Sequence, residues 1–301
     1  MPYIKSAHDI SSLVAEYTKA KTLWIDTEVA DYKNHPKLSL IQVLEEPSDL
    51  SGDHTYILDV LDQPDVVTEF VDKIMVNSAI EKVIHNASFD LKFLGSKKAK
   101  NVTCTLEMAK KIPYYLLPVP NYQLKTLAEE LCNFHNLDKQ EQSSDWGKRP
   151  LSDEQIEYAY LDCIYLAQVH QRLIELNREV NIDPATENLT ALSAKYSQIE
   201  QQWKLLNSEY EHLQERIKKA MHAQNLAETS YFKLTNYERT TIKVQFTELA
   251  RLIEKGVKLD FPVTLTQKLQ KDLGENLEEL SVDIEKTSSA RLTTKNQEND
   301  S

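Results

Sequence analysis

Residues 24–31 read WIDTEVAD: an apolar run, Leu23-Trp24-Ile25, followed directly by two carboxylates, Asp26 and Glu28. The apolar run reads as a strand, and side chains two apart on a strand point to the same face. The two acids therefore converge on one point instead of being divided between core and solvent. Carboxylates that close repel each other unless something positive sits between them. An acidic strand end facing water would show the same three letters, so the reading turns on whether the chain supplies further ligands.

Outward from this stretch, three strand-like runs open the chain: TLWIDTE from Thr22, LSLIQVL from Leu38 and HTYILDVL from His54. Polar segments with Asp, Asn, Pro and Gly separate them, as turns require. The spacing of Val66, Phe70 and Ile74 predicts a helix over 65–75. KVIHNASFDLKFLG begins as a short strand and turns helical near Ser88 or Phe89, and NVTC is a further strand or turn. TLEMAKKIPYYL is helical until Pro113 and Pro118 interrupt it, YQLKTLAEELCNF is an amphipathic helix, and a longer helix runs from about Ser152 to Val180. Strands first, then strands alternating with helices, predict an α/β domain on a mixed sheet flanked by helices, over 1–180.

Past Pro184 the pattern changes. Leu189, Leu192, Tyr196, Ile199, Trp203, Leu206, Tyr210, Leu213, Ile217 and Ala220 alternate spacings of three and four, an a/d heptad seam without Gly or Pro. A stripe that narrow needs a partner. Large aromatics on the seam and a permissible bend near Gln224 favour an intrachain hairpin with helices in 231–253, with a homodimer through the heptad helix as the alternative. Phe246, Leu249, Leu252 and Ile253 predict another helix, stopped at Gly256. The extension is thus 187–285, with 286–301 expected to be a disordered tail.

Composition limits the function. At 301 residues with 41% apolar and 27% charged residues, the chain has material for one sizeable core plus an appendage. No early run resembles a signal peptide, and no apolar stretch approaches the roughly 20 residues of a membrane helix. Cys104, Cys132 and Cys163 are odd in number and lack zinc spacing, which suggests free thiols in a reducing, cytoplasmic setting. A net charge of −12 argues against a general nucleic-acid coater. It leaves room for an enzyme that holds phosphates through metals and a local basic patch, for which Lys92, Lys97, Lys98 and Lys100 are candidates.

Two further acidic motifs complete a set. In VIHNASFD, Asp90 follows a strand at the opening of a helix, and in YAYLD, Tyr158 and Asp162 stand four apart and share one helix face. Asp-x-Glu on a strand, Asp at a strand–helix junction and Tyr-x-x-x-Asp on a late helix closely resemble the DEDDy branch of the DEDD 3'-5' exonucleases, most nearly the ribonuclease D group. HPKLSLIQV matches that group's second strand, HNASFDLKFL its second motif, and SDWGKRPLSDEQIEYAYLD its third. The resemblance covers roughly residues 1 to 178. It departs beyond them, where a heptad helix replaces the helical domains that usually follow.

The resemblance implies an RNase H-like fold and a metal-dependent 3'-5' exonuclease that releases nucleoside 5'-monophosphates from single-stranded RNA or DNA. Two divalent ions would stabilise charge on the attacking and leaving oxygens, and hard oxygen ligands select Mg2+ or Mn2+. By the same resemblance Asp26 would bridge both ions, Glu28 and Asp162 would complete the first site, and Asp90 would hold the second. Tyr158 would orient the attacking water. His85, Asn86, Phe89, Lys148 and Arg149 are candidate substrate contacts, each with a packing or solvation alternative. The rival reading is a catalytically silent nucleic-acid-binding or scaffold protein that works through its helical extension.

Overall fold

The computed structural model describes residues 2–31, 33–50, 53–135, 141, 144–235, 244–258 and 261–283, so the tail at 286–301 lies outside the described residues. Six strands form one sheet: β1 (Tyr3–Ile4), β2 (Thr22–Ala30), β3 (Lys37–Leu44), β4 (Thr55–Asp59), β5 (Glu81–Ile84) and β6 (Val102–Cys104). Their order is β1-β4-β3-β2-β5-β6. The three runs that open the sequence make an antiparallel meander, with Asp26 opposite Gln42 and Ile41 opposite Leu58. β1, β5 and β6 join it in parallel. The sheet is mixed, as the element pattern predicts.

Alternation along the strands gives the sheet two apolar faces. Leu23 and Ile25 of β2 pack with Ile41, Val43 and Leu58 under α1 (Ala7–Tyr17) and α2 (Pro64–Phe70), which supply Ile10, Val14 and Phe70. The helix expected over 65–75 is there, but its second half, Val71–Met75, widens into a π turn. Trp24, Leu40, Leu44, Ile57 and Val83 face the other way, under α5 (Asp153–Val180). Ala159, Cys163 and Ala167 on α5 are fully buried, and such small side chains let the helix lie close to the strands. Each fully buried Leu, Ile or Phe contributes about 1.5–3 kcal/mol.

α5 starts at a capping box: Ser152 Oγ accepts from Gln155 N at 3.2 Å and Gln155 Oε1 accepts from Ser152 N at 3.0 Å. Its buried outer side is covered by α3 (Thr105–Lys111) and α4 (Leu124–Cys132), where Ala109, Leu127 and Ala128 meet Tyr165, Val169 and Leu173. Inside the core, Trp24 Nε1 donates to His170 Nδ1 at 3.2 Å, which satisfies an indole deep under the helix.

The helix expected from Ser88 or Phe89 shrinks to one 3-10 turn, Asp90–Lys92. Asn86 before it has φ +53, and Gly95 after it has φ +92, so the chain reverses at both ends. Gly95 is required twice over, since a Cβ there would sit 2.9 Å from Val71 Cγ1.

Two compact units are delimited, Met1–Lys204 and Leu205–Ser301. The seam lies on α6 (Leu189–Ala223), a 35-residue helix that carries through this boundary. α7 (Phe246–Glu254) and α8 (Gln267–Leu273) follow. Gly256, at φ +89, ends α7 as expected, its N–H donating to Ile253 O at 2.8 Å. Tyr196, Trp203, Leu206 and Tyr210 of α6 are exposed and Met221 is its buried residue, while residues 236–243 of the hairpin partner expected in 231–253 lie outside the described residues. No described helix is long and apolar enough to cross a membrane.

Candidate active site

The site forms where the sheet opens. β5 pairs with β2 only over Thr22–Trp24, so its ladder stops short of Asp26 and Glu28, which by alternation share the sheet face of Trp24. The loop after β5 turns over this gap. Asn86 takes the left-handed conformation that Asn tolerates, Phe89 N donates back to Asn86 O at 2.9 Å, and Asp90 is carried to the strand end. From the opposite side α5 brings Tyr158 and Asp162 on one face. One carboxylate oxygen each from Asp26, Glu28 and Asp162 lie within 4.8 Å of one another.

These residues line an open cleft of about 930 Å³, together with Asp90, His85, Asn86 and Phe89. Asp90 is almost wholly buried and accepts a 2.5 Å hydrogen bond from Thr27 Oγ1. Burial, reinforced by the Asp90 and Asp162 charges, pushes the Asp26 carboxyl well above the carboxylate range. Glu28 is pushed up by burial and by Asp26 and Asp162. Burial raises Asp90 to about 7 against the Thr27 bond, and raises Asp162 to about 6 against Lys125 and the Tyr158 hydroxyl. Four carboxylates so crowded are held charged only by added positive charge.

The donor set tests whether that charge is a metal. Hard carboxylate oxygens converge, Asp162 Oδ1 is buried without a protein partner, and no described His or Cys joins the cluster. That set fits Mg2+ or Mn2+ and not a structural zinc. Asp26, Glu28 and Asp162 could hold one ion among them.

The other residues have definite surroundings. Burial and the charges of Asp162, Glu28 and Asp26 raise the Tyr158 hydroxyl well above its usual value, so the phenol stays neutral. Burial lowers His85 to about 4, and its Nδ1 lies 2.9 Å from Thr105 Oγ1. Phe89 is half-buried at the cleft wall, with Lys92 Nζ 5.7 Å over its ring. Lys148 and Arg149 are not among the residues lining the cleft. Arg149 instead pairs with Asp59 through Nε and Nη2, at 2.7 Å each. The basic run at Lys92–Lys100 does not line the cleft either; Lys33 and Lys125 do.

Lys125 and Gln42 are not singled out by sequence patterns of catalysis. Lys125 is buried on α4, its Nζ 3.9 Å from the centre of the Tyr158 ring. Its signal is a lysine beside Leu124, Leu127 and Ala128 on the apolar face of a helix. Gln42 is fully buried opposite Asp26, and its signal is an amide within the alternation Leu38, Leu40, Gln42, Leu44. Trp146, also at the cleft, is buried with its Nε1 unpartnered.

Comparison with known proteins agrees with this geometry. A family model described as 3'-5' exonuclease matches residues 1–177. The chain is 26% identical over 193 residues to DNA polymerase I of Aquifex aeolicus, covering 64% of this chain and 30% of that protein. It is 26% identical over 174 residues to ribonuclease D of Shewanella sp., covering 58% and 42%. It thus spans less than half the length of these relatives. The solved EXO domain of Aedes aegypti Nibbler superposes with a TM-score of 0.50 at 19% identity, over 61% of this chain and 91% of that one, a likeness of fold.

Proposed function

The chain belongs to the 3'-5' exonuclease family, with a ribonuclease D-like, DEDDy-type domain over residues 1–177, and on that premise we propose what it does. It removes nucleotides from the 3' end of single-stranded RNA or DNA and releases nucleoside 5'-monophosphates. The observation that carries this reading is the meeting of Asp26, Glu28 and Asp162 within 4.8 Å, beside Asp90 and Tyr158 in one open cleft.

Asp26, Glu28 and Asp162 would hold one divalent ion, and Asp90, in the same cleft, would serve a second together with Asp26. Divalent ions bound there would supply charge stabilisation for the phosphodiester and lower the pKa of water. The protein's own groups do the rest. Tyr158, kept neutral by burial and by its acidic neighbours, donates to Asp162 and orients the attacking water through its hydroxyl oxygen; it is too weak a base to remove a proton. Phe89 offers a half-buried ring for the terminal base, and stacking of this kind tolerates every base. Lys33 and Lys125 bring positive charge to a cleft in an otherwise acidic chain. Arg149 positions the loop that carries Trp146 and does not contact the strand. Residues 1–180 are the catalytic domain in this reading, and 187–285 a separate helical extension.

Single strands labelled at the 5' or the 3' end, incubated with Mg2+ or Mn2+, test the proposal. A ladder of shortened 5'-labelled products with early release of the 3' label is expected, and EDTA should stop it. Shortening from the 5' end would overturn the polarity. Binding without cleavage under any metal would favour the silent scaffold.

A further inference from the structure

We infer that α6 pairs with the α6 of a second copy of the chain, antiparallel, as a two-stranded coiled coil. Beyond catalysis, the seam is the largest unexplained feature of the molecule. Ten positions from Leu189 to Ala220 keep the heptad without a break. Trp203 is 58% exposed and Leu206 67%. A strict seven-residue repeat matches a helix of the same period, not a sheet or an irregular surface.

Side-chain size selects both the partner and its direction. All three aromatics, Tyr196, Trp203 and Tyr210, fall at a positions, whereas the d positions are Leu192, Ile199, Leu206, Leu213 and Ala220. In a parallel pair each a residue meets its own copy, which stacks aromatic on aromatic in three layers. In an antiparallel pair each a meets a d. With full overlap, Trp203 faces Leu206 of the second copy, Tyr196 faces Leu213, Tyr210 faces Ile199, Leu192 faces Ile217 and Leu189 faces Ala220. Every bulky ring then has an aliphatic neighbour, as close packing requires. The seam is complementary to itself, which singles out a second copy over an unrelated helix.

Charge is a lesser influence. Antiparallel pairing sets Lys195 near Arg216, and parallel pairing would instead set Lys195 near Glu200. The contact occurs twice in a pair of identical helices, and two exposed ion pairs at about 0–1 kcal/mol each are weaker than three mismatched core layers. Area suffices: covering the eight most apolar seam residues in two copies removes on the order of 1,500 Å², within the range of about 1,200–2,000 Å² for stable interfaces.

Light scattering after size exclusion of the full chain tests the pairing. Twice the chain mass of 34.7 kDa is expected over a wide range of concentrations. Trp203→Glu should return the mass to that of one chain, with nuclease activity and far-ultraviolet helicity kept. Tyr196→Lys should do the same, so the test does not hang on one variant. Orientation is read from the double variant Leu192→Cys, Ile217→Cys under mild oxidation with peptide mapping. A link from 192 to 217 between chains supports the antiparallel coil. Links of 192 to 192 and 217 to 217 would overturn it, and so would a single-chain mass for the unaltered protein at every concentration.

Discussion

Replacing Arg149 by Ala separates two roles for the loop ahead of α5: gripping the substrate or holding the fold. All five guanidinium N–H groups are engaged. Nε and Nη2 donate to the two Asp59 oxygens at 2.7 Å each, Nη2 also to Ser39 Oγ at 2.9 Å, and Nη1 to the carbonyls of Trp146 and Lys148 at 3.0 and 2.8 Å. Tyr3 adds its hydroxyl to Asp59 at 2.5 Å. Without Arg149, Asp59, with a side chain only 10% exposed, keeps Tyr3 and a 3.3 Å bond from Leu61 N. Removing one partner of a buried ion pair costs about 3–5 kcal/mol. Because the Arg149 side chain is 25% exposed, solvent screens part of this, and about 2–4 kcal/mol is expected.

At about 2–4 °C per kcal/mol, the variant should melt roughly 4–16 °C lower. Arg149→Lys should recover little, since an ammonium lacks the five-donor fork. The pH dependence has a definite sign. Burial alone would raise the Asp59 pKa, but hydrogen bonds from Arg149 and Tyr3 outweigh it and hold the carboxyl low. The folded state then binds fewer protons than the unfolded chain, so this stabilisation is complete above the usual carboxylate value and is lost as the pH falls from there through the lowered value of the folded state. Arg149→Ala should lose that part of the acid sensitivity. Melting curves between acid and neutral pH, with steady-state kinetics well below both melting points, make the test. An unchanged melting temperature with a raised KM would show that the guanidinium belongs to the substrate after all.

The catalytic reading carries its own expectations. Asp162→Asn should lower turnover at least about a hundredfold and weaken Mn2+ binding in calorimetry, while the metal-free protein, relieved of one crowded charge, melts no lower. Tyr158→Phe should lower kcat by about a hundredfold yet leave Mn2+ and strand binding intact; a wild-type kcat would remove the water-orienting role. Mn2+ at about a hundred times its Kd should stabilise the protein by about 2.7 kcal/mol, reversibly with EDTA, and an unmoved melting point would argue that the cluster holds no ion.

Short-range pattern made the sheet and the acidic set legible. Asp26 and Glu28 declare themselves because a strand's period forces them to one face, and Tyr158 and Asp162 because a helix's period does. Long-range pairing leaves no such mark. Arg149 sits beside the third motif and reads as a substrate contact, but its partner, Asp59, is 90 positions away on β4. Lys125 is likewise hidden, since only the packing of α4 against α5 puts its ammonium over the Tyr158 ring. The seam of α6 announces that it needs a partner, and its aromatics suggest a bend back on itself. The repeat declares the need for a partner and not which helix supplies it. The turn at Asn86 also escapes the pattern, as a single left-handed residue redirects a segment whose spacing looks helical.

The site shows where folding gives way to chemistry. Among the described residues, the buried side-chain polar atoms without a hydrogen-bond partner are Tyr17 Oη, both amide atoms of Gln42, Thr55 Oγ1, Trp146 Nε1 and Asp162 Oδ1. Such atoms cost about 1–3 kcal/mol each, so a sequence selected for stability alone would remove them. They are not scattered evenly. Asp162 and Trp146 line the cleft, and Gln42 stands across the ladder from Asp26. The same small region holds the carboxyls whose burial most opposes their charge, Asp26 and Glu28. Asp59 is matched by one guanidinium, Arg149, whereas in the cluster Asp26, Glu28 and Asp162 share the ammonium of Lys125, and their burial still raises all three. Carboxylates in that excess over the nearby positive charge are intelligible as ligands for a cation.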